Sequence, residues 1–126
     1  MIKILIVEDE EDILGLLCAI FNGCANYKVF YAKNGHEAIN IVRTNNPDII
    51  LLDIQLPDMN GYEICRLVKS DTAMSHIKVV MLSGMTQNSD WLIAREAGAD
   101  GYITKPFSSI ALIKKLEQQL RSNQEK

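Results

Sequence analysis

Five carboxylates stand in a row at Glu8, Asp9, Glu10, Glu11 and Asp12, directly after the apolar stretch IKILIV at residues 2–7. Other polar groups sit at the ends of apolar stretches of their own. Asp53 closes DIILLD (48–53), Ser83 closes KVVMLS (78–83) and Lys105 follows GYIT (101–104). Brought to one edge, Glu8, Asp9 and Asp53 repel one another strongly unless a hard divalent cation sits among them. Mg²⁺ suits such a place, because it favours a few protein oxygens completed by water and phosphate. Glu10, Glu11 and Asp12 have a simpler role, as the acidic first turn of a helix whose N-terminus carries partial positive charge.

Elements must hold these groups together. The stretches named above, with YKVFYA (27–32), are rich in β-branched residues and apolar on both faces, as strands buried from both sides in a parallel sheet are. Between them the spacing turns helical, with Ile13, Leu16/Leu17 and Ile20/Phe21, then Ile64, Leu67 and Val68, and last Ile110, Ile113, Leu116 and Leu120. Asn34 and Asn60 each precede a glutamate by three residues (Glu37, Glu63) in the manner of a capping box, and Ser89 and Ser108 can cap the fourth and fifth helices. Asn45-Asn46-Pro47 and Gly98 read as helix stops. Strand-helix alternation repeated through the chain predicts an α/β fold with right-handed crossovers and helices on both faces. Ligands of such sheets bind at the carboxyl ends of the strands, where the groups above lie.

At 126 residues the chain suits one domain, taken as residues 1–121 with a polar tail at 122–126 and no attached output domain. A net charge of −3 with scattered Lys and Arg argues against direct nucleic-acid binding. Cys18, Cys24 and Cys65 form no CxxC pair and read as reduced thiols used in packing, while His36 and His76 stand alone as surface or capping residues. No signal peptide or membrane-length apolar run is visible, so the expected location is the cytoplasm, with no membrane partner.

The stretches ILIVEDEE, PDIILLDIQLPDMNGYEICR, VVMLSG and AGADGYITKPF, in this order, resemble the receiver domain of bacterial two-component response regulators, single-domain chemotaxis or phosphorelay proteins among them. The resemblance runs from about residue 2 to residue 120. It implies a flavodoxin-like, doubly wound five-stranded parallel sheet of order 2-1-3-4-5 in three layers, an arrangement for which a member of this family is a standard example. It also implies that Asp53 accepts a phosphoryl group from a sensor histidine kinase or phosphotransfer protein. Mg²⁺ would be held by Glu8, Asp9, Asp53 and the Gln55 backbone carbonyl. The residue types suit that chemistry, since a carboxylate attacking an anionic donor needs its charge screened, with Lys105 and Ser83 steadying the phosphoryl oxygens.

The resemblance further implies a cis peptide at Lys105-Pro106. By the same likeness Ser83 and Tyr102 form a switch that remodels the face of the fourth helix, fifth strand and fifth helix toward an unknown downstream protein. Trp91, Leu92 and Ile93 are candidates for partner contact, with Trp91 and Tyr102 on that face, and Gln55 and Met85 tune the phosphate lifetime. Gly61, after Asn60, closes the loop behind Asp53, Pro57 stiffens it, and Gly84 leaves room for a phosphoryl group. The acid pair is Glu-Asp where many members carry Asp-Asp, and serine stands where threonine is frequent.

On this reading the protein is no enzyme beyond promoting its own phosphorylation and dephosphorylation, and it is a monomer or a phosphorylation-dependent dimer. A haloacid-dehalogenase-like phosphatase is disfavoured, because Gln55 cannot protonate a leaving group where that family has a second Asp. A stand-alone protein and a receiver cut out of a longer regulator fit this reading equally, and the alternative function is a constitutive interaction module not regulated by phosphorylation.

Overall fold

Apolar, β-branched runs become strands because their side chains pack on both faces of a covered sheet. In the computed structural model, which describes residues 1–84 and 88–124 and the side chains of 1–84 and 91–121, each run does so. The order is β1 (Ile2–Val7), α1 (Glu11–Asn22), β2 (Tyr27–Ala32), α2 (Gly35–Asn45), β3 (Ile49–Asp53), α3 (Gly61–Ser70), β4 (Lys78–Ser83), α4 (Asn88–Glu96), β5 (Gly101–Thr104) and α5 (Ser109–Gln124). The strands form one parallel sheet of order β2-β1-β3-β4-β5, as expected. β3 starts one residue later than DIILLD suggests, and the Asp48 carboxylate just before it accepts the Lys3 N–H at 2.8 Å.

Alternate strand residues feed two apolar layers. Leu5, Val7, Ile50, Leu52, Val79 and Met81 pack with α2, α3 and α4, whereas Ile4, Ile6, Ile49, Leu51, Val80 and Leu82 pack with α1 and α5. Cys65 is buried in the first layer, and Cys18 and Cys24 pack at the margin of the second as free thiols. Register brings Val7 level with Leu52, Asp53 with Leu82, and Ser83 with Thr104, so the polar residues that end or follow these strands emerge at one edge. Among the described residues no helix is long and apolar enough to cross a membrane.

The helix signals hold in part. Asn34 accepts the Glu37 N–H at 2.9 Å, but the Glu37 carboxylate returns to the Lys33 N–H, one residue before the cap. Asn60 accepts from Tyr62 at 2.8 Å, and Glu63 donates to the Asn60 backbone carbonyl. Ser108 caps α5 through the Ala111 N–H, and α4 begins at Asn88, which puts Ser89 inside its first turn. Asn46 ends α2 in the left-handed region, and Gly98, at φ +98°, turns the chain after α4. The Lys105-Pro106 peptide is cis.

Gly61 has a steric reason to be glycine. A Cβ there would lie 2.3 Å from the Asp53 carbonyl oxygen and 2.9 Å from the Ile54 Cα, both backbone atoms that cannot swing aside. Gly61→Ala is therefore expected to cost about 1–3 kcal/mol in urea unfolding, as overpacking does. A variant as stable as the parent would show that the loop relaxes freely.

Candidate functional site

The carboxyl edge of the sheet opens into a cavity of about 460 Å³ lined by Asp9, Asp53, Gln55, Ser83, Gly84 and Lys105, among others. One carboxylate oxygen from each of Glu8, Asp9 and Asp53 falls within 4.8 Å of the other two. The three differ in environment. Asp9 is exposed, Asp53 is buried at the end of β3, and Glu8, just past β1, has no exposed surface at all.

Glu8 is held from two sides, by Lys105 Nζ at 2.9 Å and by the Glu10 N–H at 3.1 Å. The same ammonium lies 3.6 Å from Asp53 Oδ2. Lys105 is aimed by its backbone, whose N–H donates to the Ser83 carbonyl at 2.7 Å. Burial works against its charge, yet the hydrogen bond to Glu8 and the charges of Asp53, Glu8 and Glu10 outweigh that and hold its pKa above the ordinary lysine value.

Asp53 is the perturbed acid of the group. Burial, the charge of Glu8 and a hydrogen bond shared with the Glu8 carboxyl push it up to about 7, against the opposing pull of Lys105 and the Gln55 N–H. Like charges at close range resist joint ionisation, so without a further cation this edge carries more negative charge than Lys105 can offset. The donor set is oxygen only and partly open to solvent, which suits a hard cation such as Mg²⁺.

Ser83 is buried beside this cavity, and a Cβ on Gly84 would meet nothing within 4 Å, so the space there is open. Tyr102 is half-buried on β5 with its ring edge-on to Trp91 at 5.8 Å. Of the apolar trio on α4, Trp91 is the partly packed member, while Leu92 and Ile93 are exposed at 55% and 40%. Met85 lies outside the described residues.

Glu11 and Asp12 occupy the first turn of α1 and Glu10 its cap position; Glu11 pairs with Lys33 at 2.9 Å. Two contacts have no counterpart in the sequence reading. One is the Lys105–Glu8 pair; the other is Asp58, which accepts the Gly35 and His36 N–H groups and meets the exposed His36 ring. Only the turn-like PDMNG stretch hinted at the second, since its partners lie 22 and 23 residues away.

The response regulator receiver domain family matches residues 4–117. A curated relative, the DNA-binding response regulator MtrA of Mycolicibacterium smegmatis, is 33% identical over 98% of this chain and 52% of its own length. The chain spans about half the length of the curated relatives it matches. Among solved structures, a CheY-like receiver domain protein from Methanospirillum hungatei JF-1 aligns with TM-score 0.91 at 28% identity, over 99% of this chain and 98% of that one. The chemotaxis response regulator CheY4 of Vibrio cholerae aligns with TM-score 0.88 at 28% identity, over 94% and 98%.

These relatives correct one expectation. The acidic balance argued against direct nucleic-acid binding, yet the curated relatives are named as DNA-binding regulators. Net charge summed over 126 residues reports on those residues alone, and they match only half of such a protein.

Proposed function

Since this chain belongs to the response regulator receiver domain family, we propose that Asp53 is its phosphoacceptor and that phosphorylation there controls an output surface. The observation that carries this is the convergence of Glu8, Asp9 and Asp53 within 4.8 Å, with Lys105 Nζ 3.6 Å from Asp53. Glu8, Asp9, Asp53 and the Gln55 backbone carbonyl are the proposed holders of Mg²⁺. When bound, that ion supplies charge neutralisation between two anionic reactants.

The chain's own residues do the rest. An Asp53 carboxylate oxygen forms a bond to phosphorus while the bond from phosphorus to the donor, a histidine nitrogen or an acyl oxygen, breaks with its electron pair leaving on the donor. Lys105 places positive charge on the phosphoryl oxygens, and Ser83, which also lines the cavity, gives a hydroxyl donor. The side chain at Gln55, exposed at the cavity, and Met85 are proposed to set the phosphate lifetime.

The donor is a sensor histidine kinase or phosphotransfer protein. Ser83 and Tyr102 are the proposed switch, and the Trp91–Tyr102 contact supports a signal that leaves through the face of α4, β5 and α5. Phosphorylation biases that face only by its differential stabilisation of one arrangement. By likeness to the DNA-binding relatives, control of DNA binding is the proposed output of a longer protein carrying this chain.

The test is intact-protein mass after incubation with acetyl phosphate, with Mg²⁺ or with EDTA. One added phosphoryl mass, absent with EDTA, is expected. Trp91 is the sole tryptophan, so beryllofluoride-induced fluorescence change reads the α4 face separately. No adduct and no fluorescence response would turn the reading to a constitutive interaction module.

A further inference from the structure

We propose that Asp58 is a positioning residue of the acceptor site, tying the loop behind Asp53 to the N-terminus of α2 so that the Gln55 backbone is held in place. This deepens the reading of Asp53 as acceptor and rests on it. The loop leaves β3 at Asp53 and enters α3 at Gly61. Its ends are fixed: the Gly61 N–H donates to the Ile54 carbonyl at 2.7 Å, and Gln55 bridges to Asn60. Its middle is held by a different part of the chain.

There, Asp58 Oδ1 accepts the Gly35 N–H at 2.7 Å and Oδ2 accepts the His36 N–H at 3.0 Å. The Gly35 N–H, with the ring and N–H of His36, holds the Asp58 carboxyl down at about 2, so it stays ionised across working pH. A helix start leaves its first N–H groups without internal partners. Asn34 serves the N–H of Glu37, and Asp58 serves the two before it. Met59 adds a second contact, since its Cγ lies only 2.2 Å from where a Cβ on Gly35 would stand.

The anchor itself is firm, because Ala38 and Val42 of α2 are buried against the sheet. The loop in turn carries the Gln55 N–H that donates to Asp53, together with the Gln55 carbonyl assigned to the metal. Freeing the middle of the loop therefore loosens both functions of that backbone, without touching any of the three carboxylates.

The experiment uses the full chain, labelled for amide NMR, as parent, Asp58→Ala, Asp58→Asn and His36→Ala. Mg²⁺ is titrated alone, and hydrogen exchange is read at the Gln55 and Gly61 amides. Asp58→Ala is expected to weaken Mg²⁺ binding by about 10-fold, the scale of a lost partner behind a metal ligand, and to speed exchange at both amides. Asp58→Asn keeps an acceptor oxygen and falls between. His36→Ala keeps both backbone donors and stays close to the parent.

Parent-like Mg²⁺ affinity and exchange in a folded Asp58→Ala protein would overturn the proposal and leave Asp58 as a helix cap. Should that variant not fold, Asp58→Asn decides: weaker binding than His36→Ala supports the tie, and equal binding overturns it. Neither readout uses phosphoryl transfer, so a parent that takes up no phosphoryl group counts against the acceptor reading and leaves this comparison standing.

Discussion

Asp53→Asn is expected to abolish phosphoryl uptake and, in metal-free buffer above about pH 7, to give a more stable fold than the parent. The first effect follows because an amide oxygen is not a usable nucleophile toward phosphorus. The second follows from the position of Asp53, which titrates at about 7 in the fold against an ordinary value of 3.8. Below pH 4 both folded and unfolded chains carry the proton and the site costs nothing. Between 4 and 7 the unfolded chain ionises first, so the parent loses stability as pH rises. Above 7 the full penalty is present, and Asp53→Asn, which has no proton to lose, lacks that slope.

The difference is expected to be on the order of 1–2 kcal/mol at pH 8, discounted from about 1.4 kcal/mol per pH unit because the carboxylate faces an open cavity. At pH 5 it shrinks. Urea unfolding of both proteins in EDTA at the two pH values measures it, and Mg²⁺ should then stabilise the parent more than the variant. A variant less stable than the parent at pH 8 would mean that Asp53 is not under charge strain.

Lys105→Met lowers the initial rate of phosphorylation by about 10²–10³-fold at saturating Mg²⁺, the usual size for losing one preorganised charge at a transition state. Its ammonium sits 2.9 Å from Glu8 and 3.6 Å from Asp53, close enough to reach oxygens arriving between them. Mg²⁺ binding should tighten in this variant, because a competing positive charge leaves the cluster. Tighter metal with slower transfer separates a lost transition-state contact from a lost site. A rate within about threefold of the parent would remove Lys105 from the chemistry.

Much of this was legible in the residues. Runs apolar on both faces marked the central strands, although YKVFYA became an edge strand with Lys28 and Tyr31 exposed, and the polar residues that end or follow the runs brought Glu8, Asp9, Asp53, Ser83 and Lys105 to one edge. What was not legible depends on distance in the chain. Asp58 and Gly35 are 23 residues apart and share no periodic pattern, and nothing near Glu8 in the sequence shows that it is buried and paired with Lys105, 97 positions on. Trp91 likewise proved the inner member of its trio, since which of three adjacent apolar residues turns inward depends on where Tyr102 stands on β5 in the same layer. The expectation about nucleic acid failed for another reason: the charge was counted over residues that match only about half the length of the DNA-binding relatives.

The Glu8–Lys105 contact joins residues 97 positions apart. During synthesis Asp53 and both leading acids are made well before the amine that faces them. A chain that has not reached residue 105 lacks the amine that pairs with Glu8. The last strand and its lysine do more than extend the sheet, because Lys105 offsets part of the negative charge gathered at the ends of β1 and β3. On the proposed function, a site able to take up a phosphoryl group therefore requires both ends of the sequence, not the acidic strand ends alone.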